Sequence, residues 1–342
     1  MKTQTRAGLF IGMGLTLTAM CAEVGWNGTG SWFDPTAWPG GALPATNDVV
    51  NISAGSRVTF AGAPDAVSQV ERVNLAVTGD ETPATMDISS GQFKLTNFNL
   101  ATASNAVGRV VQSGGDLAIG KSSWSLWLAL GSAAGGKGTY ELSGGNLSVS
   151  GNINVGQNGE GELLQTGGAL TASGWLVVGY GAGVTGRYEV SAGTAQIGAG
   201  LIVGEHGVGH AVIRDAGTNT MNRLGINGVS ELELQPGGTL ILAYAEKQAN
   251  GPGDDGRLTL DGGTVVYRGD VALQSNFISN TLDHVYVKDR GVTISVPENT
   301  VAVSQKPLEA HPDATAGDVT KIGGGTLSLQ GANTFKGKLK VQ

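Results

Sequence analysis

The segment Tyr140-Glu141-Leu142-Ser143-Gly144-Gly145-Asn146-Leu147-Ser148-Val149-Ser150-Gly151-Asn152-Ile153-Asn154-Val155-Gly156 decides how this chain folds. Tyr140 and Leu142 alternate with polar residues, and Gly144-Gly145 turns the chain. Leu147 and Val149 alternate next; after a Ser150-Gly151-Asn152 turn, Ile153 and Val155 do so again. Apolar residues at every second position describe a strand with one buried face. The segment therefore holds three short strands joined by glycine-rich turns. Its third strand recurs as Leu176/Val178-Gly179, Leu201/Val203-Gly204 and Leu224/Ile226.

The turn recurs as well. Its last glycine falls at Gly91, Gly115, Gly145, Gly168, Gly193, Gly217, Gly238 and Gly263, in steps of 24, 30, 23, 25, 24, 21 and 25. A period in this range marks a solenoid, whose units bury their apolar sides only against neighbours. Three strands in about 24 residues predict an all-β, right-handed parallel β-helix, the hand favoured by parallel crossovers. A six-residue left-handed repeat divides these strands wrongly; a stack of antiparallel hairpins is the alternative. The expected organisation is repeats over 81–263, an irregular continuation over 264–320 and a final segment at 321–342. The continuation keeps strand-like runs at 265–267, 285–287, 292–296 and 301–303, and 307–317 is a polar break.

Composition agrees. Glycine supplies 57 of 342 residues and charged residues only 14%, which suits many short strands linked by turns where glycine takes positive φ. Residues 1–22 read as an export signal: Lys2 and Arg6, a mostly apolar 7–19, then Ala19-Met20-Cys21-Ala22 for cleavage. Cleavage would remove the single cysteine; lipid attachment at Cys21 is disfavoured by Met20. Losing Lys2 and Arg6 from 21 basic residues against 28 acidic ones leaves a net charge of −9. No basic track suits nucleic acid, and no other stretch suits a helical membrane span.

The two residues before each turn run Asp87-Ile88, Val111-Gln112, Glu141-Leu142, Leu164-Gln165, Glu189-Val190, Ile213-Arg214 and Glu233-Leu234. Acid-then-apolar alternates with apolar-then-polar until Thr259-Leu260. Equivalent residues in a parallel stack lie about 4.8 Å apart, and like charges at that spacing repel. Acids on every second coil double their separation, to near a Debye length of about 8 Å. Gln112, Gln165 and Arg214 then call for a non-core setting or a shifted register.

Residues 23–80 do not show the period. Trp26, Trp32 and Trp38 cluster among Gly28, Gly30, Gly40 and Gly41, ahead of strand-like 49–52 and 58–60. A solenoid's open end needs a cap, and these indoles suit one. The functional reading makes them candidate carbohydrate contacts, since indole faces stack on pyranose rings.

The last 22 residues carry a resemblance. Lys321, Gly323, Gly325, Thr326, Leu327, Leu329, Gly331, Asn333, Thr334, Phe335 and Gly337 match every fixed position of the pattern K-x-G-x-G-T-L-x-L-x-G-x-N-T-[YF]-x-G. This resembles the autotransporter-associated β-strand repeat, and 285–303 and 26–48 look like that family's lead-in and opening. The resemblance implies a passenger-type β-helix displayed outside a Gram-negative cell, served by export machinery. It brings no catalytic residues, because the repeat is structural there. The chain stops at Val341-Gln342 within a strand pattern, without the barrel such proteins carry, so a longer protein or another anchor is expected.

Other motifs give weaker signals. Gly115-Asp116-Leu117-Ala118-Ile119-Gly120-Lys121-Ser122 fits the P-loop formula, but Leu117 and Ile119 alternate as in a strand. Glu205, His206 and His210 have metal-ligating chemistry, yet Gly204, Gly207 and Gly209 argue for a solvated bend. Gly253-Asp254-Asp255-Gly256 could ligate calcium but reads as a polar turn, and Arg268-Gly269-Asp270 is an integrin-type tripeptide. The expected function is an exported, non-catalytic, surface structural or adhesive solenoid without cofactor, metal or nucleotide. Its expected partners are surface glycans or extracellular matrix. The alternatives are a polysaccharide lyase, which needs a carboxylate–calcium row and a basic proton abstractor, and a carbohydrate-binding module using Trp26, Trp32 and Trp38.

Overall fold

The computed structural model describes residues 22–63, 67–120, 126–248, 251–269 and 276–342. The export signal expected at 1–22 lies, Ala22 apart, outside them. The described strands pair in parallel and stack as a β-solenoid of about 12 turns, roughly 25 residues per turn. This sets aside the antiparallel hairpin stack. Each full coil crosses three faces in order. Face 1 holds Glu23–Trp26, Val49–Ile52, Asn152–Val155, Trp175–Val178 and residues 200–203 and 223–226. Face 2 holds Arg57–Ala61, Val107–Gln112, Lys137–Leu142 and residues 160–165 and 185–190. Face 3 holds Asp116–Ile119, Asn146–Val149 and residues 169–172 and 194–197.

The ladder starts earlier than the sequence period suggests. Glu23–Trp26 pairs with Val49–Ile52, which pairs with residues 72–75. Span 23–80 is therefore stacked coils plus a capping loop, rather than a separate cap. The period is hidden because the first coil has no face-3 strand: after Thr29–Ser31 the chain passes through two 3₁₀ turns before Val49.

Inward side chains form columns along the axis. One runs Met86, Val110, Tyr140, Leu163, Tyr188, Ala211, Leu232, Leu258 and Val285, all buried. Gln112 and Gln165 correct the sequence reading, because both lie inside the core at 0% and 1% exposure. Both stay in register with the apolar column: Leu142 pairs with Gln112 on one side and Gln165 on the other, and the ladder shifts only after Gln165. A buried amide must find partners. Gln112 donates to the Gly115 and Asn146 carbonyls and accepts from the Tyr140 hydroxyl at 2.5 Å. Gln165 donates to the Gly168 and Thr194 carbonyls. The Tyr188 hydroxyl donates to Asn219 at 2.7 Å. Burial pushes both phenols up, so they stay neutral donors.

The corner between faces 1 and 2 is a glycine column: Gly108, Gly138, Gly161, Gly186 and Gly209 stand in register. A Cβ on Gly161 would meet the Gly156 nitrogen at 2.0 Å, and one on Gly186 the Gly179 nitrogen at 2.2 Å. Backbone fills that space, so no side chain fits.

The terminal repeat continues the stack. Lys321 pairs with Ile294, and Thr326–Leu329 pairs with residues 301–304. Leu327, Leu329 and Phe335 pack against the core. The Asn333 carboxamide accepts from the Leu308 amide, and the Thr334 amide donates to the Leu308 carbonyl. Gly323 and Gly331 take positive φ, while a Cβ on Gly325 or Gly337 would strike Pro297 or residue 317.

Candidate functional site

Outward residues also form columns, and their chemistry differs between faces. On face 2 one column runs Asp87, Val111, Glu141, Leu164, Glu189, Val212, Glu233 and Thr259. The acids do fall on alternate coils. Val212 takes the place expected of Ile213, because the turn gains a residue at Arg214-Asp215 and Asp215 adopts φ 53°. The acids are neutralised by cations of neighbouring columns. Arg57 pairs with Asp87 at 2.6 Å, Arg109 with Glu141 at 2.8 Å, Arg187 and Arg214 both with Glu189, and Lys288 with Glu233 at 3.1 Å. Such exposed pairs stabilise by about 0–1 kcal/mol each. Their main effect is to leave this face saturated with its own charges.

Trp26, Trp32 and Trp38 are 2%, 0% and 3% exposed. Trp38 meets Trp26 and Trp32 edge-on at 4.6 and 4.9 Å, and Trp32 meets Phe93 at 4.8 Å. Every indole N–H is satisfied: Trp26 by the Gly28 carbonyl, Trp32 by the Ser68 hydroxyl, Trp38 by the Trp32 carbonyl. Buried rings present no face to a pyranose, so these residues do not form an open sugar platform. They close the N-terminal end of the core.

Face 1 provides the open aromatic surface. Its first outward column brings Trp175, Gly200, Arg223 and Tyr244 into line, with Asn152 one coil before Trp175. The second column runs Asn154, Val177, Ile202, Gly225 and Glu246. Toward the N-terminus it continues as Asn51, Asn74 and Asn99, linked by amide–amide hydrogen bonds of 2.9 and 3.0 Å. Over the middle coils the second column is the floor of a groove parallel to the axis. Trp175 and Arg223 stand on one side, and Gln157, Tyr180, Glu205 and Gln248 on the other; the open groove has a volume of about 360 Å³.

Specific contacts fix the walls. A Cβ at Gly200 would lie 2.7 Å from the Trp175 ring, so glycine there lets the indole settle across the next coil. The Arg223 guanidinium sits 5.6 Å from the Trp175 ring centre and 5.8 Å from that of Tyr244, within cation–π range. It also pairs with Glu246. With its amide oxygen assigned toward the guanidinium, Gln248 accepts from Arg223 at 2.8–3.2 Å. Asn154 donates to Gln157 across the floor. Val177 and Ile202 point outward yet are only 3% and 6% exposed, because the walls cover them. Burial pushes the Glu205 carboxyl above its ordinary range, with His206 opposing. Burial also raises the Tyr244 phenol, against the pull of Arg223.

The sequence reading missed this groove. Its residues are spread from 152 to 248 over five coils, at most three per coil, with no local motif. The available signal was positional: the residue before the inward apolar of each third strand is Asn152, Trp175, Gly200 and Arg223.

The remaining motifs separate. His206 lies in a bend near the Tyr180 ring, centroids 6.1 Å apart. His210 is on a face-2 strand between Arg187 and Glu231, so the expected bend covers only the first histidine. Asp254 pairs with Lys247, and Asp255 with Arg257. Asp116–Ile119 of the P-loop formula is a face-3 strand; Lys121, Ser122 and Asp270 lie outside the described residues. Among the described residues, no three or more His, Cys, Asp or Glu side chains group as for a metal ion, and no helix is long and apolar enough to cross a membrane.

No family model matches this chain, and neither a curated protein nor a solved structure does.

Proposed function

We propose that the chain is an exported, non-catalytic β-solenoid that serves at the cell surface or outside the cell as a structural and adhesive rod. The observation that carries this reading is the face-1 groove. It offers half-exposed aromatic rings and amides above the covered Val177 and Ile202 side chains, and its one guanidinium is already engaged by Glu246 and Gln248. Those are the components of a recognition surface; Glu205 is the one carboxyl among the described lining residues, whereas glycoside hydrolysis uses a facing pair. Display outside a Gram-negative cell is supported by the composition of residues 1–22 and by the repeat motif over 321–337.

The chain should release no unsaturated ends from pectate or alginate, with or without calcium. When coated on beads, it should make them adhere to glycan-bearing surfaces. Product release that disappears on joint Asp254→Asn and Asp255→Asn replacement would overturn the non-catalytic assignment in favour of a lyase.

A further inference from the structure

We infer that the face-1 groove binds a neutral pyranose oligosaccharide lying along the solenoid axis, held between Trp175 and Tyr180 over the Val177–Ile202 floor. This rests on reading the chain as a binding rod and commits it to one ligand class.

Shape comes first. The floor advances one residue per coil, so Asn154 to Gly225 spans three steps of about 4.8 Å, and the groove runs parallel to that row. A linear chain of rings fits such a channel better than a compact ligand does. Its volume of about 360 Å³ lies in the range of ligand sites.

Chemistry comes next. A pyranose has apolar C–H faces and a rim of hydroxyls. Trp175 and Tyr180 are neither sealed nor fully exposed, so each keeps ring surface for a C–H face. Asn152, Asn154 and Gln157, on the coil before the rings, add donors and acceptors at one end of the groove. The amides lie one coil before the rings, about 4.8 Å along the axis, so a sugar stacked on the rings places its neighbouring hydroxyls over them.

Charge selects within the class. Arg223 is the guanidinium in the groove, and Glu246 neutralises it. Glu205 adds a carboxyl on the opposite wall. A uronate or sulfated chain would meet an acid and find no unengaged guanidinium, so the groove favours an uncharged glycan.

The test is calorimetric titration of the intact chain with cellohexaose, chitohexaose and hexagalacturonate, with tryptophan fluorescence recorded in parallel. At least one neutral hexamer should bind saturably, and hexagalacturonate at least tenfold more weakly. Trp175→Ala and Tyr180→Ala should each weaken that binding at least tenfold, while Arg187→Ala on face 2 leaves it unchanged. Should Trp175→Ala lose its far-UV circular dichroism, Tyr180→Ala decides alone, since Tyr180 lies beyond the Trp175–Val178 strand. The inference is overturned if neither neutral hexamer binds, if hexagalacturonate binds more tightly, or if Tyr180→Ala binds like the parent. Mass analysis of the recovered sugars keeps the two readings apart. Shortened hexamers would refute the non-catalytic rod and leave the ligand class standing, whereas no binding of intact sugars would refute the ligand class alone.

Discussion

The molecule has two aromatic clusters, and they do opposite things. Trp26, Trp32 and Trp38 come from 13 consecutive residues and turn inward, each N–H satisfied, against Phe60 and Phe93. Trp175 and Tyr180 share one coil, Tyr244 stands three coils further along the Trp175 column, and all three are on the outside. Local density of tryptophan marks a place where a core has no further coil to cover it. Aromatic residues on the outward parity of a strand, or in the bend that follows it, mark a surface instead. Burial is what separates a structural indole from one able to meet a ligand.

The largest expected effect falls on the first cluster. Trp32→Ala should cost about 3–5 kcal/mol, as for other buried aromatic truncations. Because solenoid stability is carried by neighbouring units, hydrogen exchange should quicken first over 23–120 while sugar binding persists. Binding lost without faster exchange would reverse the roles of the two clusters. Trp175→Ala should give the mirror image in thermal melts and titrations, costing only about 1 kcal/mol of stability but at least tenfold in cellohexaose or chitohexaose affinity. Arg187→Ala on the charged face should do neither. Its stability change should stay within about 1 kcal/mol and shrink as salt is added, as chemical denaturation at two ionic strengths would show.

A smaller effect gives the two regions opposite responses to pH. Near the first cluster, hydrogen bonds from the Thr36 side chain and backbone hold the Asp34 carboxyl low. Its contribution is present above an unfolded pKa of about 3.9 and is lost as pH falls through the lower folded value. In the groove, burial holds the Glu205 carboxyl high. Its contribution is present below about pH 4.3 and is lost as pH rises through the raised folded value. Asp34→Asn should therefore lower the melting temperature at pH 7, and Glu205→Gln should raise it. Both differences should fade toward pH 3, and the same sign for both at pH 7 would contradict the assignment.

The fold was legible because it needs little: alternation from Tyr140 to Val155 and a glycine at each turn determine a stacked coil. The alternate acids Asp87, Glu141, Glu189 and Glu233 were legible for the same reason. Gln112 and Gln165 were not, since polarity argues for the outside unless partners are known. Those partners include carbonyls at the turns and the Tyr140 hydroxyl contributed by the next coil. The Val212 position was obscured by one added residue at Arg214-Asp215, invisible without the ladder. The groove lay further out of reach. Trp175 and Arg223 become neighbours only because Gly200 leaves room between them.

Hydroxyl-radical footprinting of the intact chain, with and without cellohexaose or chitohexaose, tests the central claim most directly. Trp175 and Tyr180 should be labelled in the free chain and protected by the sugar, while Trp26, Trp32 and Trp38 stay unlabelled in both states. Labelling of Trp26, Trp32 or Trp38 that the sugar suppresses, with Trp175 unchanged, would contradict the account.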